Sequence, residues 1–171
     1  MPLKLSHENR TEMLARWFDR IVDHYPAETA SFLRGQSDPF ANPVGAGLRD
    51  ELAPILDAIL DGRDPVEVES GVDRIVRVRA LQEMSPSMAV GFVLELKEVF
   101  DEVTDEASND GKRIFDKRVD GMLLAAFNVY NRCREQVYDI RVKEIRNRSL
   151  KVMERLNSWR EERAGGPPSN T

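Results

Sequence analysis

From Lys112 to Glu162 the chain contains no proline and one glycine, Gly121, and that stretch constrains the fold more than any other feature. Proline breaks helix interiors and glycine weakens them, so the stretch reads as one very long helix or two abutting ones. Its apolar residues first follow Val119, Met122, Ala126, Val129, Cys133, Gln136 and Ile140, at steps of three and four. A second register then takes over at Tyr138, Val142, Ile145, Ser149, Val152, Leu156 and Trp159. Sustained steps of four and three are a heptad pattern. The change near Tyr138 predicts a bend, or a hand-over from core packing to a partner helix.

The region before it divides into shorter helices by turn chemistry. Ser6 is an expected N-cap for a helix to His24, with Leu14, Trp17, Phe18 and Ile21 on its apolar face. Pro26 opens a short second piece to about Leu33. Gly35 to Gly45 carries Asp38-Pro39 and Asn42-Pro43, and a residue before proline is pushed out of the helical region. In that loop the Asp38 and Asn42 side chains are expected to close local turns on backbone amides, with Phe40 and Val44 as apolar plugs. A third helix is expected from Gly47 to Leu60, with a kink at Pro54. A fourth runs from Asp64 to about Met84, and a fifth from Ser85 to the polar patch Asp105–Gly111. No segment alternates apolar and polar residues over a strand's length, so the fold class is all-α.

Composition decides the compartment. The single cysteine, Cys133, excludes an internal disulfide, and neither a signal-like N-terminus nor a long apolar span is present. A cytoplasmic protein is expected, without membrane insertion. The net charge of −5 is uneven. Residues 132–163 hold ten bases and six acids, leaving fifteen bases against twenty-four acids elsewhere. An excess of four bases is far below a nucleic-acid footprint, so no nucleic acid is expected as a partner.

The sequence carries few residues in patterns that support catalysis or metal binding. His7 and His24 lie apart from any Cys or second His, so no metal site is expected. His24, at a helix end, is expected to cap carbonyls there. Cys133 lies on an apolar stripe as a buried, inert thiol. No nucleophile elbow, P-loop or dinucleotide fingerprint occurs, and the carboxylate pairs Asp101-Glu102 and Asp105-Glu106 belong to polar faces. No catalytic residue is therefore assigned, and the chain is expected not to be an enzyme. Arg74, Arg77 and Arg79 interrupt the apolar run of the fourth helix, their spacing placing Arg74 and Arg77 on one side and Arg79 on another. They read as side chains bonded to Asp/Glu or loop carbonyls, or as contacts to an anion or acidic partner with Gln82 one turn beyond.

Four strings carry a resemblance: His24-Tyr25-Pro26, the run Asp38 to Gly45, Ile75 to Gln82, and Ser85 to Val90. Over roughly Arg10 to Ile145 the chain resembles the N-terminal domain of the RsbRD co-antagonists, regulators of the stress-signalling kinase RsbT. The resemblance implies a haem-free, globin-like helical sensory domain that dimerises. In that family a long helix leads to a C-terminal STAS domain. No such αβ segment follows here, so a free-standing sensor or adaptor is expected. Globins hold haem through a histidine deep in the chain. Here no histidine follows His24, and no Cys or Tyr stands between Arg77 and Met88, so no cofactor is expected.

The resulting expectations are specific. A single globin-like bundle over residues 1–140 continues into a helical extension over 141–163 and a disordered tail over 164–171. It acts in bacterial signal transduction through a signalling partner. The alternatives are an accessory protein of an anaerobic, sulfur-respiring redox complex, or a small-ligand-binding domain using the 38–45 loop with Arg77 and Arg79. The ligand or partner contacts are Asp38, Phe40, Asn42, Arg77, Arg79 and Gln82. The homodimer stripe is Val142, Ile145, Val152, Leu156 and Trp159, on a helix whose last twenty residues span roughly 30 Å.

Overall fold

Helix α1, His7–Asp23, starts where Ser6 accepts a 3.1 Å hydrogen bond from the Asn9 amide. Its buried residues Met13, Trp17, Phe18, Ile21 and Val22 form a stripe that packs against α2 (Ala27–Gly35), α3 (Pro43–Asp61) and α6 (Glu95–Val103). Between them lie α4 (Glu69–Leu81) and α5 (Pro86–Val90), and α7 runs from Asn109 to Ala164. The computed structural model describes residues 3, 5–35, 42–81, 84–104 and 109–164, with side chains at all but 43, 44, 162 and 164. Among the described residues there is no strand. The predicted sites Asp38, Phe40 and Gln82, the Val44 side chain, the pair Asp105-Glu106 and the tail from 165 lie outside the described part.

Several boundaries differ from the sequence expectation. α3 begins at Pro43 rather than Gly47, because Asn42 caps it, and it runs through Pro54 without interruption. It ends at Gly62, whose φ of +70° only glycine adopts without strain. The Arg118 guanidinium from α7 fills the space where a Cβ would stand, and donates to the carbonyls of Ile59 (3.0 Å) and Leu60 (2.6 Å). The fourth predicted helix opens with a 3-10 turn, Pro65–Val68, capped by Asp64. The fifth is two helices, α5 and α6, joined by a second 3-10 turn at Gly91–Val93. Gly91 weakens the helix there, and the tighter i→i+3 turn lets Phe92, Val93 and Leu96 all reach the interior.

The chain forms two compact units, Met1–Cys133 and Arg134–Thr171. In the first, Phe115, Val119, Met122, Ala126, Val129 and Cys133 of α7 are buried, following the first predicted register. The Phe115 ring stacks on Phe100 at 4.1 Å. Gln136 and Ile140, which continue that register on paper, are exposed. α7 is one helix rather than two, with no break at Tyr138. In the second unit every described side chain from 138 onward is exposed.

Candidate functional site

The three arginines of α4 part company. Arg74 pairs with Glu51 at 2.6 Å and Arg77 with Asp73 at 3.0 Å, both at the surface. Arg79 is wholly buried. Residues two apart on a helix point about 200° apart, so the face carrying Val72, Ile75, Val76 and Ala80 into the core takes Arg79 with it. Of the two arginines named as candidate ligand contacts, Arg77 thus lies at the surface and Arg79 in the core, on different sides of the helix as their spacing predicts.

Inside, Arg79 Nη1 donates to the Met88 carbonyl at 3.0 Å. Its guanidinium lies 5.0 Å from the Phe92 ring centroid and 5.7 Å from that of Tyr25, within cation–π range. Glu95, at the start of α6, shares this environment. Its Oε1 stands 2.7 Å from His24 Nε2, so the His24 imidazole meets a carboxylate rather than the helix-end carbonyls expected of it. Burial pushes the Glu95 carboxyl above the usual glutamate range, against the lowering pull of His24, Arg79 and Arg20. Sequence reasoning missed Glu95, whose neighbours Glu98, Asp101 and Glu102 make it one acid among many.

Among the described residues, Asn42 is the other buried polar side chain. Its Oδ1 accepts from the Gly45 amide at 2.8 Å, closing the expected turn three residues on, while Nδ2 donates to Leu33 O (2.9 Å) and Phe32 O (3.2 Å). All its named bonds are internal, and they tie the start of α3 to the end of α2. Beside this junction opens a largely apolar groove of about 630 Å³, walled by Tyr25, Leu33, Leu48, Ile75, Val78 and Met84, with the Glu51–Arg74 pair on its wall. Tyr25 thus belongs to both the groove and the arginine cluster.

Cys133 is buried, and burial pushes its thiol up, away from the reactive thiolate. Of the carboxylate pair on α6, Asp101 meets Lys112 while Glu102 meets Arg16 and Arg20. No group of three or more His, Cys, Asp or Glu able to hold a metal occurs among the described residues. No described helix is long and apolar enough to cross a membrane. In the second unit Val142, Ile145, Val152, Leu156 and Trp159 are between 55% and 64% exposed.

These features define an all-α domain built around a buried arginine and ending in a long amphipathic helix. The chain belongs to the RsbT co-antagonist protein rsbRD N-terminal domain family, whose model matches residues 11–144. A protein of Archaeoglobus fulgidus named "Uncharacterized protein" is 24% identical over 157 residues, covering 88% of this chain and 93% of that one. No solved structure matches the chain.

Proposed function

We propose that this chain is a non-catalytic, haem-free, globin-like sensory or adaptor domain of bacterial signal transduction that works in the cytoplasm through protein contacts and dimerises through its C-terminal helix. The observation that carries this reading is the exposed heptad stripe Val142, Ile145, Val152, Leu156, Trp159, joined to membership of a regulatory family. A contiguous apolar stripe in water is costly unless another surface covers it. A second copy offers the same stripe.

The flanks of the stripe say how such pairing behaves. With Val142, Ser149 and Leu156 at a and Ile145, Val152 and Trp159 at d, the e and g positions include Arg141, Arg146, Arg148, Arg155 and Arg160. In a parallel, in-register pair Arg141 of one copy faces Arg146 of the other, and Arg155 faces Arg160. Screening relieves like-charge contacts, so self-association should strengthen as salt rises. The same arginines favour a second reading, in which an acidic helix of a signalling partner covers the stripe and salt weakens the complex.

Light scattering on the intact chain, and after truncation at Arg146, tests the dimer. A dimer lost on truncation and favoured by salt supports it. A monomer at tens of micromolar overturns it, and a dimer unchanged by truncation moves the interface to the first unit.

A further inference from the structure

Among the described residues, three buried side-chain polar atoms lack a hydrogen-bond partner, and all belong to one cluster: Arg79 Nε, Arg79 Nη2 and Glu95 Oε2. Elsewhere buried polar groups are met as physical chemistry demands, Asn42 by a main-chain donor and two acceptors and Trp17 by the Phe92 carbonyl. An unpaired buried charge is among the most expensive features a fold can carry. Arginine cannot escape by releasing its proton. One carbonyl and two ring faces leave most of the Arg79 donors unmet.

The shape of what is missing can be read from these atoms. Nε and Nη2 form one edge of the guanidinium, two parallel N–H donors whose spacing matches the two oxygens of a carboxylate. Glu95 Oε2 calls for a donor instead. Its Oε1 is held by His24, which aims the free oxygen, and the charges of Arg79 and Glu95 are close enough to act on one another. The Glu95 and His24 side chains are 20% and 32% exposed, so the cluster reaches the surface on that side while Arg79 does not.

We propose that Arg79, Glu95 and His24 form a binding site for a small carboxylate that carries an adjacent hydrogen-bond donor, such as a hydroxy or amino acid. The ligand carboxylate lies along the Arg79 Nε–Nη2 edge, between the flanking rings of Tyr25 and Phe92. Its hydroxyl or ammonium donates to Glu95 Oε2, and His24 positions that carboxylate without touching the ligand. This site lies in the first unit and does not depend on how the C-terminal helix is covered.

The test is a titration of the full chain with acetate, glycolate, lactate, glycine and alanine, read by thermal midpoint and by the Arg79 Nε–H signal in a nitrogen-correlated NMR spectrum. Glycolate and lactate report the hydroxyl source of the donor, glycine and alanine the ammonium source. Donor-bearing acids should shift that signal and raise the midpoint by roughly 5 °C at about a hundredfold excess over Kd, with acetate weaker. Glu95→Gln should narrow the gap between glycolate and acetate while leaving acetate binding in place. Arg79→Met should abolish all binding, and Arg79→Lys, which keeps the charge but loses the fork, should retain only a weak remnant if Arg79→Met fails to fold. No shift of the Arg79 signal and no change in midpoint with any of the five acids overturns the proposal. So does acetate binding as tightly as glycolate, or a glycolate preference that survives Glu95→Gln undiminished.

Discussion

The indole Nε1 of Trp17 donates to the main-chain carbonyl of Phe92 across 2.6 Å, and the two rings stack with centroids 5.9 Å apart. Phe92 sits in the 3-10 turn between α5 and α6. A turn breaks the regular ladder of helical bonds, and here a side chain seventy-five positions away supplies one of the missing donors. The join between α5 and α6 is thereby fixed to the centre of α1, next to the face on which Arg79 stacks.

Replacing Trp17 with Phe removes that donor from a fully buried carbonyl contact and leaves a void. The loss should be about 2–4 kcal/mol in urea unfolding. The same change at Trp159, which is 63% exposed, should cost under about 0.5 kcal/mol in a monomeric sample. A comparable loss at both positions would mean that Trp159 is buried in solution.

Asn42 and Gly45 act as one device. Asn42→Ala removes a helix cap and both bonds to the end of α2, and should cost about 2–4 kcal/mol. Gly45→Ala adds a good helix former, yet its Cβ would stand 2.8 Å from the Leu33 carbonyl and closer still to the Asn42 amide. It should destabilise the protein despite a propensity gain of about 1 kcal/mol. Thermal midpoints of the two variants check both claims, and a stabilised Gly45→Ala protein would contradict the junction described above.

Glu95 makes stability depend on pH with a defined sign. Its folded-state acidity is weakened by burial, so between the ordinary glutamate range and its raised value the folded protein holds a proton that the unfolded chain has lost. The contribution of this group is greatest at low pH, declines as pH rises through that window and is level above it. The groups acting on Glu95 are His24 on α1's end, Arg20 on α1, Arg79 on α4 and Glu98 on its own helix. Urea midpoints of the natural protein and of Glu95→Gln, followed from about pH 4 to pH 8, should diverge in favour of Gln as pH rises. Divergence the other way would show that the carboxylate is net stabilised.

What was legible in the sequence and what was not divides along a physical line. The all-α class, the caps at Ser6, Asp64 and Ser85, the turn closed by Asn42, and the buried stripe of α7 from Val119 to Cys133 depend on period and on local backbone chemistry, which neighbouring residues determine. The exposed stripe from Val142 to Trp159 was visible for the same reason. The complete burial of Arg79 with donors left unmet was not. Helical spacing sets Arg79 on another side from Arg74 and Arg77, and Arg77 meets Asp73 one turn back on its own helix, but only the packing of α4 against its neighbours carries Arg79 into the core and brings Glu51 of α3 to Arg74. Nor could spacing single out Glu95, because its meeting with His24 joins positions far apart in the chain. A charge becomes a site when tertiary structure removes it from water without pairing it, and sequence period records neither event.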